Sequence, residues 1–158
     1  MTSKVLLINP EIPSLSKSAS PLSLALLWIG SYLDQNGYKV KIVNVQDQEN
    51  YLNTIKKEMK SSICVGITAM TVQVQNALKI SDFIKENDSS IPIIWGGVHP
   101  YLFPESTVMD KSVDIVAIRE AEHTILELVK HFENGISLND IGGIAYINKN
   151  KEKIRRQP

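Results

Sequence analysis

Short apolar runs alternate along the chain with longer stretches in which apolar residues recur every three or four positions. Residues 4–9, KVLLIN, read as a buried strand. Ser20-Pro21 opens a helix with proline at its first position, running to about Asn36, where Gly37 can take the left-handed stop. That segment is apolar nearly all round, which predicts a well-buried helix. Residues 39–45 are a second strand. Residues 50–60 form a helix with Leu52, Ile55 and Met59 on one face, and 63–68, ICVGIT, a third strand. Residues 72–87 place Val74, Ala77, Ile80 and Ile84 inward on a helix. Residues 91–95, IPIIW, form a fourth strand with Pro92 near its start, where proline is tolerated. A short helix over 104–110 and a fifth strand over 114–118 follow. A helix over 122–133 carries Ile125, Leu128, Val129 and Phe132 at helical spacing and ends at Asn134-Gly135.

Strands that alternate with helices imply parallel βαβ units, and continuous apolar strands imply a sheet covered on both faces. The fold class is therefore α/β: a flavodoxin-like (Rossmann-like), doubly wound, five-stranded parallel sheet of order 2-1-3-4-5. The last segment, GGIAYINKNKEKIRRQP (142–158), breaks the pattern. It reads as a strand, an Asn/Lys turn and a second extended piece with no packed terminal element. The expected organisation is one domain over 1–140 and a small C-terminal β extension or linker over 141–158, the chain being the front of a longer protein.

Composition narrows the function classes. The 158 residues are 43% hydrophobic and 22% charged, which is ordinary for a globular domain. Lys+Arg and Asp+Glu both number 17, so the formal net charge is zero, which argues against a general nucleic-acid binder. The most apolar stretch, 21–33, is too short to span a bilayer, and the N-terminus lacks a signal-peptide pattern. A cytoplasmic protein with neither membrane nor nucleic-acid partner is expected. The single cysteine, Cys64, reads as a small buried hydrophobe. One thiol excludes an intrachain disulfide, a cysteine-based zinc site and an iron–sulfur cluster held by this chain's own cysteines.

Ligands of open parallel sheets bind beyond the carboxyl ends of the strands. The loops there are 10–21, 69–73, 96–104 and 119–122, and they hold five of the seven prolines. The first is long and carries four serines, but no dinucleotide or P-loop glycine pattern. It also lacks the aspartate set of a phospho-receiver domain. Gly96-Gly97 allows backbone to approach a ligand closely, although glycine pairs at strand ends also serve simply as turns. The run Thr68-Ala69-Met70-Thr71 offers hydroxyls beside a small residue, although such hydroxyls also cap helices.

Together, Thr68-Ala69-Met70 and Gly96-Gly97 are similar to two of the three signatures of cobalamin-binding domains. The strings VGITAMTVQVQNALKISDFIKE, PIIWGGVHPYLFPE and VDIVAIREAEHTILELV resemble one branch in particular, over residues 4–147. This is the N-terminal cobalamin (B12)-binding domain of cobalamin-dependent radical S-adenosylmethionine (SAM) enzymes, the group containing anaerobic Mg-protoporphyrin ester cyclases and many methyltransferases. The third signature, Asp-x-His-x-x-Gly after the first strand, is absent, as is common in that branch; residues 9–21 contain no histidine to meet the lower face of the cobalt. Where the family often has Gly-Glu-Gly-Glu, this chain has Arg119-Glu120-Ala121-Glu122. Arg119 there would either clash with the cofactor tail or pair with its phosphate.

The resemblance implies cobalamin as the cofactor of this domain, with its corrin over the strand ends and its nucleotide tail between sheet and helices. The implied cofactor-binding residues are Asn9, Pro10, Leu22, Ser23, Thr68, Ala69, Met70, Thr71, Gly96, Gly97, Val98, His99, Pro100, Arg119, Glu120 and Glu122. No catalytic or metal-ligating residue is assigned; His99 is expected to hydrogen-bond within its loop, and His123 and His131 to be solvated. SAM and a 4Fe-4S cluster belong to an absent C-terminal radical SAM domain, so this chain alone is not expected to be the enzyme. The rival expectations are a degenerate domain without cofactor, an interaction module docking through the PYLF loop, and a stand-alone flavodoxin-like transferase. An open cleft at the loop edge, rather than one filled by Arg119, Tyr101 and Phe103, separates the first expectation from the degenerate domain; activity without added cobalamin would mark the transferase, and an exposed apolar patch with no cleft the interaction module.

Overall fold

The computed structural model describes residues 3–13, 23–118, 120–148 and 153–157. Its sheet has seven strands in the order β2-β1-β3-β4-β5-β6-β7. The strands are β1 (Lys4–Asn9), β2 (Lys39–Asn44), β3 (Ser62–Thr68), β4 (Ile93–Gly96), β5 (Ile115–Ala117), β6 (Ile144–Asn148) and β7 (Lys153–Gln157). The first five are parallel and stand in the order read from the sequence. Strands β6 and β7 add antiparallel to the edge of β5. Strands β6 and β7 thus supply the expected C-terminal β extension and are hydrogen-bonded into the same sheet, with Ile144 and Ala145 fully buried although the sequence suggested no packed terminal element. The cause is Ile115, Val116 and Ala117, whose short strand would otherwise leave an apolar edge unpaired.

The helices are α1 (Leu24–Gln35), α2 (Tyr51–Met59), α3 (Val74–Asn87), α4 (Val98–Leu102), α5 (Pro104–Val108) and α6 (Glu122–Asn134). Alternate strand residues feed two separate cores. Leu6, Ile8, Val65, Ile67, Ile93 and Trp95 point toward α2 and α3, meeting Ile55, Met59, Ala77, Ile80 and Ile84. Val5, Leu7, Cys64, Ile94 and Ala117 point the other way, toward Leu26 and Leu33 of α1 and Ile125, Leu128 and Val129 of α6. On the α3 side, the buried indole of Trp95 donates to Ser81 Oγ at 2.9 Å.

Two helix expectations change. Leu52, expected on the inner face of α2, is 36% exposed, because the helix meets the sheet through Ile55 and Met59. The α1 helix is buried on one side only: Leu26, Gly30 and Leu33 face the sheet, while Leu24 and Trp28 are 71% and 68% exposed. A helix lying on a sheet edge can hide only one stripe, however apolar the rest. Ser23 caps α1, its Oγ accepting from the Leu26 N–H at 3.4 Å. Ser20, Pro21 and Leu22, expected at its start, lie outside the described residues. The α4 helix, absent from the sequence reading, turns on directly after Gly97. Among the described residues no helix is long and apolar enough to cross a membrane.

Candidate functional site

At the carboxyl ends of the strands the sheet carries a dent. In register, Gly66 stands between Leu7 of β1 and Ile94 of β4. One row further on, Thr68 pairs with Gly96. Ala117 lies two residues beyond Ile115, the partner of Ile94. Three small residues, Gly66, Gly96 and Ala117, therefore floor this part of the sheet's α1/α6 face. The dent opens into a cavity of about 600 Å³ whose walls include Leu26 and Ile29 of α1 and Ile125 of α6. A Cβ on Gly66 would lie 2.8 Å from Leu7 Cδ2, so the missing side chain there makes room for the neighbouring leucine at the edge of the cavity. Gly66 was not singled out in the sequence, where a glycine inside ICVGIT passed as part of a strand. A lone glycine in a strand is nonetheless a sign of close approach by something else.

The two glycines after β4 do different things. A Cβ on Gly96 would meet nothing within 4 Å, so its missing side chain leaves the cavity clear. Gly97 has φ 98° and ψ −173°, a region essentially reserved for glycine. A Cβ there would stand 2.8 Å from Thr68 Oγ1 and 3.0 Å from both Ala69 N and Ala69 O. The close approach at Gly97 is thus made by this protein's own loop. That approach is held by two hydrogen bonds, Ala69 N–H to Gly96 O at 2.9 Å and His99 N–H to Ala69 O at 3.0 Å.

The remaining expected site residues fall into groups. Thr68, Gly96, Gly97, Val98, Glu120 and Glu122 line the cavity, the two glutamates at its mouth beside the start of α6. Ala69, Met70 and Thr71, after β3, and His99 and Pro100, on α4, lie outside its walls. Met70, at 42% exposed, forms an open apolar rim with Val72, Val98, Tyr101, Leu102 and Phe103. The His99 imidazole, expected to bond within its own loop, instead reaches the stretch after β3, with Nδ1 3.3 Å from Thr71 Oγ1, and its ring lies 5.3 Å from that of Phe103. Asn9 and Pro10 lie on the other side, in a buried amide network. Gln73 Nε2 donates to Pro10 O at 2.7 Å and to Asn9 Oδ1 at 3.3 Å, while Gln73 Oε1 accepts from the Met70 N–H at 2.9 Å. Asn9 Nδ2 in turn donates to Asn44 Oδ1 at 2.9 Å. This network sets the positions of the loops after β1 and β3. Leu22 and Arg119 lie outside the described residues.

Two histidines expected to be solvated have partners. His123, exposed at the start of α6, has Nδ1 2.8 Å from Tyr32 Oη on α1. His131 Nδ1 meets the carbonyl oxygen of Ile136 just beyond the end of α6. Cys64 is fully buried beneath α1 and α6, and burial pushes its thiol up to about 12, so it carries no thiolate chemistry. Among the described residues no three His, Cys, Asp or Glu side chains gather as a metal site.

Comparison with known proteins places this arrangement. Residues 20–129 match the B12 binding domain family. The chain belongs to that family. As a B12 binding domain it is 29% identical over 163 residues to an uncharacterized methyltransferase of Pyrococcus horikoshii, covering 98% of this chain and 34% of the relative. It is 28% identical over 172 residues to the cytidylyl-2-hydroxyethylphosphonate methyltransferase of Streptomyces wedmorensis, covering 90% of this chain and 31% of that protein. The B12 binding domain thus spans about a third of the length of these relatives. Its fold is shared with the cobalamin-dependent SAM radical enzyme OxsB, solved with aqua-cobalamin and SAM bound. That match has a TM-score of 0.83 at 21% identity, over 99% of this chain and 22% of OxsB.

Proposed function

We propose that this domain holds cobalamin, with the nucleotide tail in the cavity between the sheet and helices α1 and α6 and the corrin over the rim. The observation that carries the reading is the floor of Gly66, Gly96 and Ala117, which leaves an open slot at the strand ends where a packed core would otherwise close. Tyr101 borders the slot without blocking it, and Phe103 lies outside its lining, which favours a ligand site over a degenerate fold. The exposed apolar rim suits the face of a macrocycle. Thr68 and Val98 border the tail, and Glu120 and Glu122 stand at its entrance.

When bound, cobalamin supplies the cobalt centre, and the protein supplies position and exclusion of water. This chain offers no histidine from the loop after β1 to the lower face of the metal, since residues 9–21 contain none. His99 is engaged with Thr71 and Phe103. In the full-length protein we place this domain, its sheet extended past residue 140 by β6 and β7, at the front of a cobalamin-dependent radical SAM methyltransferase or cyclase. SAM and a 4Fe-4S cluster then belong to the remainder, because one buried cysteine cannot hold a cluster.

The test is a titration of the chain with hydroxocobalamin, followed by its visible spectrum and by calorimetry. Saturable binding that Gly96→Val weakens at unchanged fold stability is the expected result. Binding of equal strength in Gly96→Val, or none in the native chain, overturns the reading.

A further inference from the structure

The depth of the slot differs in chemistry from its mouth. Its floor is Leu7, Gly66, Ile94 and Ala117, and its walls are Leu26, Ile29 and Ile125. None of these side chains carries a hydrogen-bonding atom. The backbone of Leu7, Gly66 and Ile94 is engaged in the parallel ladders with neighbouring strands. The polar lining side chains stand toward solvent: Trp28 and Tyr101 are 68% and 44% exposed, Glu120 is exposed, and Thr68 and Glu122 are half-buried. Thr68 alone of these sits on the strand itself, its hydroxyl facing Gly97 at the upper end of the floor.

Corrinoids differ in the base that ends the tail. A benzimidazole attached through one nitrogen keeps a single ring acceptor, which one hydroxyl can satisfy, and the rest of the ring is apolar. A purine attached the same way keeps three ring acceptors and can carry an exocyclic amine. Inside this slot most of those groups would lose water and find no partner, an unfavourable exchange for each. We propose that the slot is a selectivity device, accepting corrinoids whose lower base is an apolar aromatic ring and disfavouring those with a purine. This rests on the cobalamin reading above and adds to it which corrinoids the domain distinguishes.

The experiment compares three probes with the native chain: aquocobalamin, its adenine-based counterpart with the same upper ligand, and cobinamide, which has no nucleotide tail. The adenine form is expected to bind at least tenfold more weakly than cobalamin, and cobinamide more weakly than cobalamin. Ala117→Ser, which adds a hydroxyl to the floor for one further steric step, is expected to narrow the cobalamin-to-adenine ratio severalfold. Equal affinity for the two tailed forms overturns the selectivity and leaves the cofactor reading standing. Cobinamide binding as tightly as cobalamin overturns the placement of the tail in the slot. Binding of none of the three overturns both inferences together.

Discussion

Exchanging each of the paired glycines for alanine separates the two duties assigned to them. Gly97→Ala forces a Cβ onto a backbone at φ 98° and ψ −173°. Holding a non-glycine residue there costs about 1–3 kcal/mol. The new methyl also starts 2.8 Å from Thr68 Oγ1 and 3.0 Å from the Ala69 backbone. Relief requires the loops after β3 and β4 to part, which weakens the Ala69–Gly96 or the His99–Ala69 hydrogen bond. That adds about 1 kcal/mol. The sum, roughly 2–4 kcal/mol, corresponds to a melting temperature roughly 4–15 °C lower for a chain of this size. Gly96→Ala meets nothing within 4 Å and needs no unusual φ. It is expected to stay within about 1 kcal/mol of wild type, on the stabilising side, because alanine restricts the unfolded chain. Urea denaturation and thermal melts of both variants, without cofactor, decide the matter. A Gly97→Ala chain that unfolds at the wild-type midpoint, or a Gly96→Ala chain destabilised as much as its neighbour, would refute the reasoning.

Three further outcomes are expected. Gln73→Leu removes the amide that joins Pro10 O, Asn9 Oδ1 and the Met70 N–H, and should lower unfolding free energy by about 2–4 kcal/mol, checked by chemical denaturation. Cys64 should resist a thiol reagent at pH 8 in the folded chain and react at once in denaturant, since burial holds the thiol neutral; rapid labelling of the native chain would contradict its placement. The hydrogen bond from Lys4 Nζ, 2.8 Å away, holds the Glu58 carboxyl below its ordinary value. A depressed folded pKa means that this contribution is present above the unfolded carboxylate value of about 4.3 and is lost as pH falls through the lower folded value. Lys4→Met should therefore flatten the acid limb of the stability curve, and an unchanged limb would count against the pair.

The sequence made the sheet legible because β1 and β3 are continuous apolar runs and because α3 and α6 keep a regular inward stripe. It misled on α1 for a physical reason: an all-round apolar helix can be buried or can face a ligand, and hydropathy alone does not distinguish Leu33 from Trp28. Short α4 escaped notice because Pro100 and the glycine pair look like loop chemistry, although proline fits a first helical turn. Gly97 was visible as a glycine, but its partner Thr68 lies far away in sequence, so turn and ligand clearance looked alike. Asn9 and Pro10 looked available at a strand end, and only the distant Gln73 explains why they are sequestered. The slot itself is a matter of register, Leu7 beside Gly66 beside Ile94, which no local pattern encodes.

The sheet also divides the molecule into two halves with unequal freedom to change. The half under α2 and α3 is filled by buried side chains such as Trp95, Ile80 and Ile84, which answer chiefly to one another. The half under α1 and α6 contains the slot, and there a side chain added at Gly96 would enter open space. Over evolutionary time the first half is free to drift by compensating swaps of volume, as close-packed cores do. Under the cobalamin proposal the second keeps small residues where the slot has to stay open. Two such halves on one sheet let a lineage retune thermal tolerance and ligand choice separately, with neither search undoing the other.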